Sequence, residues 1–554
     1  MKTSAHVNRW MIIGLLSCTF AITFWSFNPS PHTGGDNAGY LSLAHSIVSG
    51  SGYLELWDPN TPVHTKYPPV YPLVLALAML LGVKSWFAFK TLSIVLTSVS
   101  VAILFDWIRL RHTVGLAVAV CSIVIFSPAI LWSSNWVLSE PLFLVLTVCC
   151  FWSFEQWEEK GGAWPWLLLG CLTAILAVFT RTAGLPVVLA VLIRLTLSKE
   201  WKVLAIFFPA VALPSLAWLS IAQGVNTGQY VSEFFLIDPY RPELGEIGVF
   251  DFFLRLKENA SKYILLYFPQ GMSGWNEGPS RYLGLAVFFA ATAGWLKQLR
   301  RSIGVSELFL PAYFLLILSW PVVWSGDRFA LPLYPLLLMY AGEGLIGIVE
   351  SRPRSLRVTT YLFAVSLFLA TSVSTWYEST KDVKICRRAI SEAGVFACNG
   401  SGLQEFVSVA DWLGKNLPDG SVVFTRKPRM FYVLSGIPSR TYPFTQDSKR
   451  FLEEAEQNGI SYVVWDRIDR LGEAYVGSVV RASPEGFCSV GFVGNPPEYT
   501  AILGIRDNKR LVPNKSESSN GSEILEPCPS SFLKDGPIQR VDPYSADVPI
   551  LMSP

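Results

Sequence analysis

The sequence predicts a polytopic α-helical membrane protein of about eleven spans, with a small α/β domain after the last of them. Three observations carry that prediction. Of 554 residues, 51% are hydrophobic and 16% charged, against about 25% charged in an average soluble domain. Basic clusters recur between apolar runs in the alternation expected of loops on two sides of a bilayer. Beyond residue 377 the hydrophobic period changes to that of short strands and helices.

The mean hydropathy of +0.38 is more than a soluble fold could bury. A net charge of +2 lacks the basic excess that marks a nucleic-acid partner. The first apolar run begins at Trp10, preceded by Lys2 and Arg9, and no small-x-small cleavage site follows it. It reads as an uncleaved first span with a cytoplasmic N-terminus rather than as a signal peptide. The short run Leu73 to Val83 reads as a half-inserted helix, because a full crossing there would put Arg109 and Arg111 outside.

Further spans are expected near 86–107, 114–132, 136–154, 164–180, 183–196, 203–222, 281–296, 306–324, 329–349 and 358–376. Their cytoplasmic connections collect Arg194, Lys199 and Lys202, then Lys297, Arg300 and Arg301, then Arg352, Arg354 and Arg357. Only Glu155–Lys160 dissents, being net acidic. The division expected is a membrane module at 1–376 with outer loops 28–85 and 223–280, an extracytoplasmic α/β domain at 377–505, and a weakly ordered polar tail at 506–554. In the domain, Ser421–Thr425 and Ile460–Trp465 read as strands, and 403–416 and 446–458 as helices.

Of nine cysteines, Cys386, Cys398, Cys488 and Cys528 fall on the outer side of this topology, where one or two disulfides are expected. Cys386–Cys398 closes the shortest loop. No CxxC pair or His–Cys cluster points to zinc.

Ionisable residues within spans or at their ends are expensive and therefore candidates for function. Asp36 opens a helix that reads as amphipathic over Tyr40, Leu43 and Ile47, and spacing alone makes it an N-terminal cap. Glu140 stands inside an otherwise uncharged run, either as a site residue or as a structural partner of Arg181 or Arg328. Arg181 and Arg328, at outer span ends, fit snorkelling or phosphate binding equally well. Aromatic runs at Tyr230–Tyr240 and Tyr263–Trp275 read as surface anchors or sugar-stacking residues.

Gly34-Gly35-Asp36-Asn37-Ala38-Gly39-Tyr40, followed by Lys66-Tyr67-Pro68-Pro69-Val70-Tyr71-Pro72, resembles the first loop of lipid-linked-sugar glycosyltransferases of the GT-C superfamily. The likeness is to the bacterial relatives of protein O-mannosyltransferases and lipid A aminoarabinose transferases. It continues through Ser127-Pro128, Leu138-Ser139-Glu140, Phe179-Thr180-Arg181 and Asp327-Arg328-Phe329, covering roughly residues 10–350. It implies a glycosyltransferase, inverting, that moves a sugar from a polyprenyl-phosphate donor to a lipid, glycan or protein acceptor at the outer face of the cell membrane.

It further implies that Asp36 is the catalytic base and favours Arg328 more than Arg181 on the donor phosphate; Glu140 joins the candidate site through its cost within an uncharged span, and Asn37, Tyr40 and Tyr67 are the candidate substrate-binding residues. Where some relatives have two adjacent acidic residues this chain has Asp36-Asn37, so a metal bridge at that step lacks its second carboxylate. No metal or other cofactor is required by this chemistry, and a divalent ion stays open. The other classes to weigh are a transporter or flippase, which would show paired broken helices, and a membrane scaffold displaying the α/β domain.

Overall fold

A computed structural model describes residues 2–31, 34–224, 233–275, 278, 280–495, 498–506 and 525–534. The chain forms two compact units: Met1–Asn28, Thr65–Val74 and Phe87–Ile385 make the first, and Pro29–His64, Leu75–Trp86 and Cys386–Pro554 the second. This departs from the linear division. Most of the first loop groups with the C-terminal residues instead of with the membrane module.

The first unit is helical. By length and composition Trp86–Arg111, Trp201–Ile221 and Arg354–Ala393 are long and apolar enough to cross a membrane. Val114–Ile125 and Pro128–Ser134 together make a fourth candidate, bent by 59°. Pro128 causes that break: it has no N–H to donate and drives the residue before it out of the helical region, and Ser127 accordingly sits at φ −59°, ψ 121°. Glu140–Glu159 and Ser280–Arg301 have spanning length, 20 and 22 residues, but carry several charges. Shorter apolar helices lie at Arg9–Trp25, Val70–Leu80, Trp164–Thr180, Thr182–Leu197, Val305–Ser319 and Leu333–Val349.

The last expected span, 358–376, is part of a 40-residue helix. Residues 377–393 contain neither Pro nor Gly and are rich in good helix formers, so the helix stops only before Gly394, at φ +91°. The boundary expected at 376 therefore falls inside a helix. Helices Ser280–Arg301 and Leu333–Val349 approach until a side chain at Gly294 would meet the Tyr340 carbonyl at 1.9 Å, and one at Gly344 the Ala290 carbonyl at 2.0 Å. Only small residues permit such an approach.

The acidic connection that breaks the charge pattern is explained by packing. Glu155 lies 3.3 Å from Arg111, Glu158 pairs with Arg194, and Arg111 also reaches Glu307 at 2.8 Å. These carboxylates neutralise basic residues at the ends of the same helices.

The second unit holds a five-stranded mixed sheet: β1 Val423–Phe424, β2 Ser439–Arg440, β3 Tyr462–Trp465, β4 Phe487–Asn495 and β5 Glu498–Ile505, in the order β2-β1-β3-β5-β4. β1, β2 and β3 run parallel, while β3–β5 and β4–β5 are antiparallel. The helices Ser401–Asn416 and Ser448–Gln457 fall where the sequence predicts them, the second capped by the Asp447 carboxylate on the N–H groups of Lys449 and Arg450. Phe424, Phe451, Val463, Val476, Val479, Phe487 and Leu503 form the core.

Part of the expected tail belongs to this unit. Residues 525–534 return to the sheet, where Ser489 donates to the Glu526 carbonyl at 2.8 Å and Tyr462 to the Phe532 carbonyl at 2.7 Å. Two disulfides, Cys386–Cys398 and Cys488–Cys528, are formed, the second tying that return in place. Closing the shorter loop stabilises by roughly 3 kcal/mol in the chain-entropy model. Protein purified without reductant should yield both cross-linked peptides by mass spectrometry; alkylatable thiols at all four positions would refute the pairing.

Candidate functional site

In the first unit the structure gathers Glu140, Arg181 and Arg328. Glu140 is the first residue of its helix, followed by Pro141, and only 3% of its side chain is exposed. Arg181 sits in extended backbone between helix Trp164–Thr180 and the 3-10 turn Thr182–Gly184. From there its Nη1 lies 2.8 Å from Glu140 Oε1 and donates to Ser139 Oγ at 2.9 Å. Arg328, in the turn Asp327–Ala330, brings Nε to 3.3 Å from the same oxygen.

Both guanidiniums face the ring of Phe329, at 5.9 and 4.9 Å. Both guanidiniums thus approach one oxygen of the same carboxylate, and these three side chains by themselves sum to +1. Of the two readings of Glu140, the structure shows the structural one, with both arginines: it is a buried counter-ion to Arg181 and to Arg328. Next to them, burial raises the Asp327 carboxyl above its ordinary value, opposed by backbone N–H groups and by the Arg328 charge. Tyr67, half buried, lies in the Thr65–Val74 segment of the same unit.

In the second unit Asp36 lies in the first turn of helix Gly35–Val48, whose N-cap is Gly34. The cap reading is thereby corrected, since Asp36 stands two positions inside the helix. The amphipathic reading is corrected too: Asn37, Ala38, Gly39, Tyr40, Leu41, Ser42, Leu43, Ala44 and Ser46 are all buried. Small residues on every side let the helix be enclosed, with Tyr40 beside Tyr53. The Asp36 carboxylate remains 36% exposed, with Arg429 Nη1 4.0 Å from its Oδ1.

Residues that the sequence reading did not single out surround it. Arg426, Lys427 and Arg429 follow β1, and Asp466 and Asp469 follow β3, so parallel pairing brings both groups to the carboxyl edge of the sheet. Arg426 donates to Asp469 at 2.8 Å. Burial lowers the Lys427 ammonium from its usual range, helped by Arg426 and opposed by Asp469, Asp466 and Asp36. Burial also pushes the Asp466 carboxyl up to about 6. The signal available in the sequence was a basic run directly after a predicted strand, and the carboxyl ends of parallel strands are where α/β units bind ligands.

Asp58, a loop carboxylate followed by proline, reads from sequence as dispensable. It instead accepts two hydrogen bonds from Arg440, at 2.8 and 2.9 Å, while Ser439 N–H donates to the Trp57 carbonyl at 2.7 Å. Asp58→Asn should cost about 1.5–3 kcal/mol, the range for hydrogen bonds to charged groups. The check is a thermal melt of the purified protein, and an unchanged midpoint would show the pair to be idle. The aromatic positions Tyr230–Ser232 lie outside the described residues. Among the described residues no three His, Cys, Asp or Glu side chains gather as a metal group.

No family model and no curated protein matches the sequence. Solved structures do match its fold. The oligosaccharyltransferase of Archaeoglobus fulgidus, tethered with an acceptor peptide, is 10% identical over 89% of this chain and 74% of its own, with a TM-score of 0.55. ArnT of Cupriavidus metallidurans, bound to undecaprenyl phosphate, is 11% identical over 90% and 98%, with a TM-score of 0.53. The arabinofuranosyltransferase AftD from Mycobacteria is 17% identical over 90% of this chain and 42% of its own, with a TM-score of 0.51. With these neighbours, and with a helical unit followed by a small mixed sheet, the chain has the fold of the GT-C membrane glycosyltransferases.

Proposed function

We propose that the chain is a membrane glycosyltransferase that moves a sugar from a polyprenyl-phosphate carrier to a lipid, glycan or protein acceptor. The observation that carries this reading is the fold likeness across nine-tenths of the chain to ArnT bound to undecaprenyl phosphate. In the reaction, Asp36 takes the proton of an acceptor hydroxyl and the oxygen attacks the anomeric carbon. The sugar–phosphate bond breaks with its electron pair on the departing phosphate, so the anomeric centre inverts.

The paired guanidiniums of Arg181 and Arg328 are the proposed partners of that phosphate, because planar forks suit a phosphate better than ammonium groups do. Glu140 holds them together against their mutual repulsion, and Asn37, Tyr40 and Tyr67 complete the proposed substrate-binding set. The step is written without a metal; turnover in the presence of a chelator tests that. The three similar structures are transferases, and nothing in this chain favours a transporter. Transfer of radiolabelled sugar from a polyprenyl-phosphate donor to endogenous acceptors in membranes tests the function, and no label transfer by active-site-intact protein would refute it.

The proposed topology has about eleven spans, with the loops and the α/β unit on the outer face. A cysteine introduced at residue 420 should react with a membrane-impermeant thiol reagent in intact cells, whereas one at 300 should not. The opposite pattern would overturn the orientation.

A further inference from the structure

Two of the arginine–carboxylate pairs in the second unit differ in character. Arg440 clasps Asp58 with two donors at 2.8 and 2.9 Å, the planar fork-on-fork geometry of a fixed joint. Arg429 meets Asp36 with one nitrogen at 4.0 Å, which leaves the carboxylate oriented without clasping it. Local structure places Arg429 there. Pro428 begins helix Pro428–Ser435 directly after β1, and this helix packs on helix Gly35–Val48, which carries Asp36. The guanidinium also lies 5.0 Å over the Trp57 ring, which restricts its orientation.

We infer that Arg429 of the C-terminal unit is a positioning residue for Asp36, aiming its carboxylate and favouring the charged form that accepts the acceptor proton. The inference rests on Asp36 being the base, as proposed above. It gives the C-terminal unit a part in the chemistry through a residue more than 300 positions along the chain from Asp36. A bidentate clasp would occupy both carboxylate oxygens with the same guanidinium. At 4.0 Å Arg429 keeps its charge near the carboxylate without that clasp.

The experiment is a double-mutant cycle on the full-length protein in membranes, using a saturating polyprenyl-phosphate sugar donor. Arg429→Gln should lower kcat at least about tenfold, the order expected when a reacting group is misaimed, with donor KM and thermal midpoint close to the parent. Arg429→Lys, which keeps the charge, should recover part of the loss. In an Asp36→Asn background Arg429→Gln should change the residual rate less than twofold. An equal loss in both backgrounds, or a loss that follows a fall in the melting midpoint, would overturn the positioning role and leave Arg429 a packing residue. If Asp36→Asn is inactive while Arg429→Gln is normal, the positioning role alone fails. Near-normal turnover in Asp36→Asn would refute the base and the positioning role together.

Discussion

Asp36→Asn lowers sugar transfer at least a hundredfold while protein yield and donor binding stay near normal. The magnitude follows from general-base catalysis, which contributes about 100- to 10,000-fold. The near-normal fold follows from the residue's position. Asp36 is not the cap of its helix, its side chain is 36% exposed, and Arg429 Nη1 lies 4.0 Å from its Oδ1. The helix dipole and the loose ion pair with Arg429 that the charge supports are each worth up to about 1 kcal/mol. Asn fits the same space without accepting a proton. Asp58→Asn is no neutral comparison, because Asp58 joins the first loop to Arg440. Asp419, paired with Lys534 and 97% exposed, serves better, and its Asn variant should be indistinguishable from the parent. Turnover of Asp36→Asn within threefold of the parent would show the carboxylate to be structural.

Glu140→Ala is expected to be the most damaging single change to the helical unit. It removes the carboxylate that meets both guanidiniums, and breaking a buried pair by deleting one partner costs about 3–5 kcal/mol. Arg181 and Arg328 would then repel each other with little water nearby, since 14% and 28% of their side chains are exposed. The apparent melting midpoint in detergent should fall by several degrees, and transfer should fall with it. Removing a cation as well, in Glu140→Ala with Arg328→Met, should restore part of the midpoint but no activity, because one phosphate partner is gone. A melting midpoint unchanged by Glu140→Ala would show that the ion triad does not hold the site together.

Helix positions, the basic clusters and the ionisable residues that stand out by their cost were legible locally. A run of apolar residues long enough for the bilayer has one cheap conformation, a helix, because backbone groups have no other partner in lipid. A charge in such a run stands out by its cost, which is why Glu140, Arg181 and Arg328 were visible before their contact was. Cys386 and Cys398, 12 residues apart, were close enough in sequence for loop closure alone to single them out. Helix boundaries were less legible where competing signals met. Pro128 broke an apparently continuous span, and the helix ending at Ala393 ran on through a polar stretch that has no Pro or Gly to stop it.

By itself the sequence determined that the chain is largely helical, with runs long and apolar enough to cross a membrane and a C-terminal α/β part, and that Asp36, Glu140, Arg181 and Arg328 are unusual where they stand. Only the tertiary structure decided which of them meet, that both guanidiniums share one oxygen of Glu140, and that Glu155 and Glu158 neutralise Arg111 and Arg194. It alone placed the first loop with the C-terminal sheet, through Asp58 and Arg440, 382 residues apart. The reason is one of range. Periodicity, propensity and loop charge act over a few turns of chain and leave their mark in adjacent residues, whereas an ion pair between distant segments is chosen by packing and leaves no local pattern to read.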